Sequence, residues 1–279
     1  MEEPHPVKSK ELFPALFGRH ALAYQQRIEQ VMERGEARGR LRVLELVDVR
    51  PGMRVLDLAC GPGTLSRRLA QHVSPGGEII GVDLSPGMIE VARAAHIPNA
   101  RFEVMDIERL TFADAYFDAA VCGHGIQFAP DLAVALSEAR RVLRSGARFA
   151  ASVPVEGNNE SVWALLETVI DRWLPPDAHA VDQGSTRAAL ADTTRFREAA
   201  LEAGFATAKV EVIQEHVIWG SAEQLVSLFT SWWSCASRLD GVDDERRRGF
   251  TEEAITTIKR AHPGAIHTTG RNHVLFAVA

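Results

Sequence analysis

The chain has 279 residues, with 31 Lys plus Arg against 37 Asp plus Glu and a formal net charge of −6. Hydrophobic residues make up 46% and charged residues 24%, which excludes a disordered tail and a stapled mini-protein and fits one large globular domain with room for a lid. The mild acidity argues against a nucleic-acid partner, no apolar run approaches the roughly 18 residues of a membrane span, and Met1–Pro6 carries no signal-peptide pattern.

Residues 10–47 place Leu12, Leu16, Ala21, Tyr24, Ile28 and Val31 at helical spacing, which predicts two or three short helices. After the turn at Arg50-Pro51-Gly52 the rhythm becomes strand and helix in alternation. Strands are predicted at 54–58, 78–83, 100–105, 117–122 and 148–153, and helices at 64–72, 86–96 and 131–143. This alternation implies right-handed βαβ units and a mostly parallel sheet. Beyond Pro154, helices are predicted at 160–173, 194–203, 221–238 and 244–261, with strands at 209–219 and 273–278. The expected architecture is α/β and Rossmann-like, a doubly wound, mostly parallel seven-stranded sheet. Residues 1–49 would form a helical N-terminal cap and 50–153 a cofactor-binding core. Residues 154–279 would supply lid helices and complete the sheet.

The sharpest local feature is Val55-Leu56-Asp57-Leu58-Ala59-Cys60-Gly61-Pro62-Gly63-Thr64, a buried strand running into a glycine turn and then a helix. Such a turn lets backbone approach a ligand beside free helix N–H groups. Asp83 ends the next strand, where an acid can take both hydroxyls of a ribose. The third glycine of a dinucleotide-binding turn is replaced by Ser66, which points away from a pyrophosphate and from NAD.

Together these segments resemble the class I S-adenosylmethionine-dependent methyltransferases. Val55 to Thr64 resembles their first motif and Ile80-Gly81-Val82-Asp83-Leu84-Ser85-Pro86-Gly87-Met88 their second. Phe102 to Ile107 resembles the third, and Phe117 to Cys122 with Arg141-Val142-Leu143-Arg144-Ser145-Gly146 the fourth strand and the turn before the fifth. The nearest subgroup is the ubiquinone/menaquinone-type small-molecule methyltransferases. The resemblance implies S-adenosyl-L-methionine as cofactor and S-adenosyl-L-homocysteine as product. It implies that Asp57 and the backbone at Ala59, Gly61 and Gly63 hold the methionine end. Asp83 would take the ribose hydroxyls, Leu84 and Met88 would pack on adenine, and Asp106 and Ile107 would bond it. Cys122 and Gly123 would line the sulfonium side, with Tyr24 over the cofactor.

Methyl transfer from a sulfonium needs alignment and exclusion of water more than a triad. A general base helps where the acceptor atom must lose a proton. His124, just past the fourth strand, is the first candidate and His20 on the cap the second; His179 and His216 are weaker. His262, His267 and His273 read as structural or solvated. The histidine that many relatives carry near position 127 is replaced by Gln127. No metal motif is present. All five tryptophans lie outside 50–153, which suits either a lid with its own core or an aromatic pocket for a large apolar acceptor. Three sparse cysteines, Cys60, Cys122 and Cys235, suit a reducing cytoplasm. The expected partner is a small-molecule acceptor, with the protein a monomer or homodimer. A non-methylating reaction on the same fold and an NAD-binding Rossmann enzyme are the alternatives.

Overall fold

The computed structural model describes residues 6–155, 162–176, 184–231, 233–239 and 241–279. Three helices come first: α1 (Pro6–Arg19), α2 (Ala21–Glu33) and α3 (Arg38–Val47). Then follow β1 (Arg54–Leu58), α4 (Thr64–Val73), β2 (Glu78–Asp83), α5 (Pro86–Ala94), β3 (Ala100–Val104), β4 (Phe117–Gly123), α6 (Leu132–Val142) and β5 (Leu143–Val155). The remainder comprises α7 (Val162–Trp173), α8 (Gly184–Ala191), α9 (Thr193–Glu202), β6 (Thr207–Trp219), α10 (Ala222–Ser231), α11 (Trp233–Leu239), α12 (Asp244–Ala261) and β7 (Ile266–Val278).

The sheet has seven strands in the order β3-β2-β1-β4-β5-β7-β6. The first five pair in parallel and β7 runs antiparallel to both its neighbours. This is the α/β, Rossmann-like architecture that the alternating pattern implies. Strand residues point to opposite faces in turn, so each face builds its own core. Leu56, Ile80 and Ala120 pack with α6 and α9 on one side. Val55, Ile79 and Val121 pack with α2, α3, α4 and α5 on the other. A third cluster, with Leu166, Leu225, Phe250 and Ile258, joins α7, α10 and α12 to Trp219 and Ile266. The helices after β5 therefore bury an apolar core of their own.

Several elements differ from the sequence expectation, among them β5, which starts at Leu143 rather than Arg148. Helix α8 was not foreseen, because Gly184-Ser185-Thr186 offers little helix propensity. The predicted helix 221–238 is helical over Ala222–Ser231 and Trp233–Leu239, with Trp232 outside the described residues. Strand β7 starts at Ile266 rather than His273. Its first half carries Thr268, Thr269, Gly270 and Arg271, so the strand is set by pairing with β6 from Trp219↔Ile266 onward rather than by apolar alternation. No helix among the described residues is long and apolar enough to cross a membrane.

Candidate cofactor and acceptor site

The sheet order reverses at β1, with β2 on one side and β4 on the other. Open α/β sheets bind ligands outside the strand carboxyl ends at such a point. One cavity of about 1170 Å³ lies there. It exceeds the usual span for a single small ligand, roughly 300–1,000 Å³, and has room for two molecules.

The glycine turn forms because Gly63 sits at φ 81° at the N-cap of α4, a conformation open to glycine and strained for other residues. Two non-glycine residues also take left-handed backbone here, Ala59 at φ 51° and His124 at φ 61°. They follow the ends of neighbouring β1 and β4, and backbone strain of this kind clusters at functional sites.

Asp57 is buried at the end of β1. Its Oδ2 accepts the Ser66 hydroxyl at 2.6 Å. Its Oδ1 is buried with no hydrogen-bond partner among the described residues. Burial pushes the Asp57 carboxyl up to about 7, against the opposing pull of Ser66. The Asp83 carboxylate accepts the N–H groups of Gly61 and Ser85, each at 2.9 Å. Burial raises its pKa too, while those two N–H groups oppose the rise.

Helix α1 closes the other side. Lys10 Nζ donates to Asp106 Oδ2 at 2.6 Å and to Glu108 Oε2 at 2.5 Å. The Ser85 hydroxyl donates to the Pro14 carbonyl at 2.7 Å. A Cβ on Gly87 would come within 2.6 Å of the Gly18 Cα, so two glycines let α1 and α5 touch backbone to backbone. Phe13 and Phe17 pack on Phe128 with ring centroids 5.4 and 5.2 Å apart.

Near the end of β4, Arg40 donates to the Tyr24 hydroxyl at 3.0 Å. His124 is half-buried beside Asn272 of β7. Desolvation together with the Arg40 charge holds its pKa well below the usual histidine value, with Asn272 opposing the fall. Its Nε2 has no hydrogen-bond partner among the described residues. His124 is therefore a neutral imidazole facing the cavity, and a weaker base than an exposed histidine.

The structure brings Tyr24, Asp57, Ala59, Gly61, Asp83, Leu84, Met88, Asp106, Ile107, Gly123 and His124 into one cavity wall. Gly63, His20 and Cys122 are not in that wall. Gly63 shapes the turn from behind. His20 takes the N-cap position of α2. The Cys122 thiol is wholly buried in the core and raised to about 12 by that burial, so this side chain does not line a sulfonium. His216 and His267 are exposed, and buried His273 bonds the Leu190 carbonyl at 2.8 Å. His179 lies outside the described residues. Cys60, Cys122 and Cys235 are all free and buried. Among the described residues no group of three His, Cys, Asp or Glu could hold a metal. Of the tryptophans, Trp163 and Trp219 reach the cavity, and Trp173 donates to Glu253 at 2.7 Å.

Sequence reasoning missed Lys10, Arg27, Arg40 and Asn272, which also line the cavity. Arg27 falls one helical turn after Tyr24, so helical spacing could have found it. Asn272 stands in the polar half of β7 and left no such signal.

Residues 55–146 match the family described as "Methyltransferase domain". This stretch, a third of the chain, is thus similar to a methyltransferase domain. A 2-phytyl-1,4-naphtoquinone methyltransferase of Synechococcus elongatus is 38% identical over 138 residues, 47% of this chain and 58% of the relative. An uncharacterized 37.1 kDa protein in transposon TN4556 of Streptomyces fradiae is 44% identical over 114 residues, 40% of this chain and 33% of the relative. The chain thus matches between a third and three fifths of the length of these relatives. The YcgJ protein from Bacillus subtilis shares the fold with a TM-score of 0.54 at 18% identity, over 86% of this chain and 97% of that one. The core is thus related to the naphthoquinone methyltransferases and has the fold that family uses to bind S-adenosylmethionine.

Proposed function

We propose that this chain is an S-adenosylmethionine-dependent methyltransferase that methylates an O, N or C atom of an apolar, ring-containing small molecule of quinone or related type. The observation that carries the reading is the buried, unpartnered Asp57 Oδ1 in the same cavity wall as Asp83. A buried acceptor without a donor is costly and marks a place for a cationic or N–H-bearing ligand group. An amino-acid ammonium fits Asp57, and ribose hydroxyls fit the remaining lone pairs of Asp83.

Bound there, S-adenosylmethionine would supply a methyl group activated by a positive sulfonium. The chain's own residues then align and enclose. Gly61 and Ala59 offer backbone to the methionine end, Met88 and Leu84 offer apolar surface to adenine, and α1 excludes water. Gly123 and His124 border the space between cofactor and acceptor. His124 Nε2 would hold the acceptor's polar atom or take its proton, with Asn272 beside the ring. Trp163, Trp219 and Phe128 would pack on the acceptor's apolar body. The naphthoquinone relative supports a ring of that kind. Three buried free thiols suit a reducing compartment such as the cytoplasm, and the enzyme would act as a monomer or homodimer.

The test is incubation with labelled S-adenosylmethionine and a panel of hydroquinones and hydroxynaphthalenes. Labelled product with stoichiometric S-adenosylhomocysteine is expected. Product without S-adenosylhomocysteine would replace methylation by a non-methylating reaction.

A further inference from the structure

Arg27 of α2 lines the cavity, and only 8% of its surface is exposed. Its guanidinium carbon lies 4.2 Å from the ring centroid of Trp219. All three of its nitrogens are buried and lack a hydrogen-bond partner among the described residues. Buried guanidinium groups are ordinarily paired with a carboxylate or saturated with hydrogen bonds, because an isolated buried charge is expensive. Here no described carboxylate forms an ion pair with it. Of the two glutamates in the same wall, Glu215 accepts the Gly39 N–H at 2.8 Å and Glu167 is exposed. Among the described residues the guanidinium stacks on Trp219 and makes no hydrogen bond, so it can turn toward a ligand without breaking one.

We infer that Arg27 is the anchor for an anionic oxygen on the acceptor, a carboxylate or an ionised ring hydroxyl attached to a flat apolar body. This rests on the methyltransferase reading and adds the charge and the orientation of the acceptor. Trp219 ends β6, whose neighbour β7 lies four strands from β2 in the sheet order. At about 4.8 Å per strand the anchor stands well away from Asp83. Asp57 and Asp83 repel an anion at the cofactor end, and Arg27 attracts it at the other. The acceptor therefore enters with its anion toward Trp219 and its opposite end toward Gly123 and His124. The overall charge of −6 gives no hint of this, because the recognition is a single buried cation rather than a basic surface.

The experiment uses the full chain, with and without S-adenosylhomocysteine, and titrates it with 2-naphthoate and its neutral isostere 2-naphthamide. The expected result is naphthoate binding at least about ten-fold tighter, as one charge-assisted bidentate contact gives. Arg27→Gln should erase that preference and Arg27→Lys should keep part of it. Equal affinity for the two probes, binding of neither, or a preference that survives Arg27→Gln would overturn the inference. A melting curve of Arg27→Met separates a structural role. The ligand-free variant should melt at or above the wild-type temperature, because an unpaired buried charge has been removed. A fall of several degrees would overturn the inference by making Arg27 a packing residue. If S-adenosylhomocysteine fails to bind while the naphthoate preference persists, the anchor stands and the methyltransferase reading falls. If S-adenosylhomocysteine binds and no preference exists, the anchor alone falls.

Discussion

The Ser66 hydroxyl donates to Asp57 Oδ2 at 2.6 Å, in the core beneath the glycine turn. A glycine at position 66, as in a dinucleotide-binding turn, could make no such bond. Serine at this position fixes the acid at the end of β1 and leaves Oδ1 facing the cavity. Ser66→Ala should let the Asp57 pKa rise further and weaken S-adenosylmethionine binding by about ten-fold near pH 7. The loss should shrink at pH 8.5, where the carboxyl ionises in either protein. Calorimetric titration at the two pH values measures this; a loss independent of pH would separate Ser66 from the ionisation of Asp57.

Cofactor binding and stability should respond to pH in opposite senses at Asp57. Its folded pKa, about 7, lies above the ordinary value of 3.8. The folded state thus holds a proton that the unfolded state releases, so this group's contribution to stability is lost as pH rises from about 4 to 7. A ligand ammonium favours the ionised acid, so S-adenosylmethionine should bind more tightly as pH rises through 7 and release protons below it. Titrations in buffers of different ionisation enthalpy count those protons. No release at pH 6.5 would remove Asp57 from the ligand's cationic end.

For His124 the folded pKa lies well below the ordinary 6.5. The unfolded state gains a proton that the folded state refuses, so stability is present above about 6.5 and lost as pH falls below it. His124→Asn should flatten that acid limb in melting curves. The same variant should lower kcat by about 10²–10⁴-fold if the imidazole takes the acceptor proton, with cofactor affinity nearly unchanged. Unchanged turnover would leave His124 as a wall residue.

Lys10 ties α1 to Asp106 and Glu108 through pairs in which its own side chain stays 31% accessible. Such pairs contribute about 0–1 kcal/mol each, so Lys10→Met should barely change the melting temperature. It should, however, speed both entry and exit of S-adenosylhomocysteine by freeing α1. Raising the salt concentration should bring the wild type toward the variant. Stopped-flow tryptophan fluorescence follows the rates; identical rates would mean that α1 does not gate the cavity.

Much of this site was legible in the sequence because its parts are local. Val55 to Thr64 and Ile80 to Met88 are short strand-turn-helix units, and the spacing of Asp57, Gly61 and Asp83 brings them to one crevice once the strands pair. Strand β1, strand β2 and helix α12 form at the expected residues for the same reason, since period and breakers lie within each segment. The remaining parts are long-range. Lys10 reaches Asp106 across 96 residues, and the β5–β7 pairing brings Asn272 beside His124. Arg27 draws its meaning from Trp219, on a strand no local pattern could place beside α2. Cys122 carried a motif position, yet strand alternation turned its side chain into the core. The acceptor pocket is built from such contacts, which is why the cofactor half was readable and the acceptor half was not.

The central claim is that the Asp57 and Asp83 carboxylates hold S-adenosylmethionine at the ends of β1 and β2. Calorimetric titration of the wild type and Asp83→Ala with S-adenosylmethionine and S-adenosylhomocysteine tests it most directly. Both ligands should bind the wild type, and the substitution should weaken each by at least about ten-fold, or about 1.4 kcal/mol. No binding to the wild type, or the same affinity in Asp83→Ala, would contradict it.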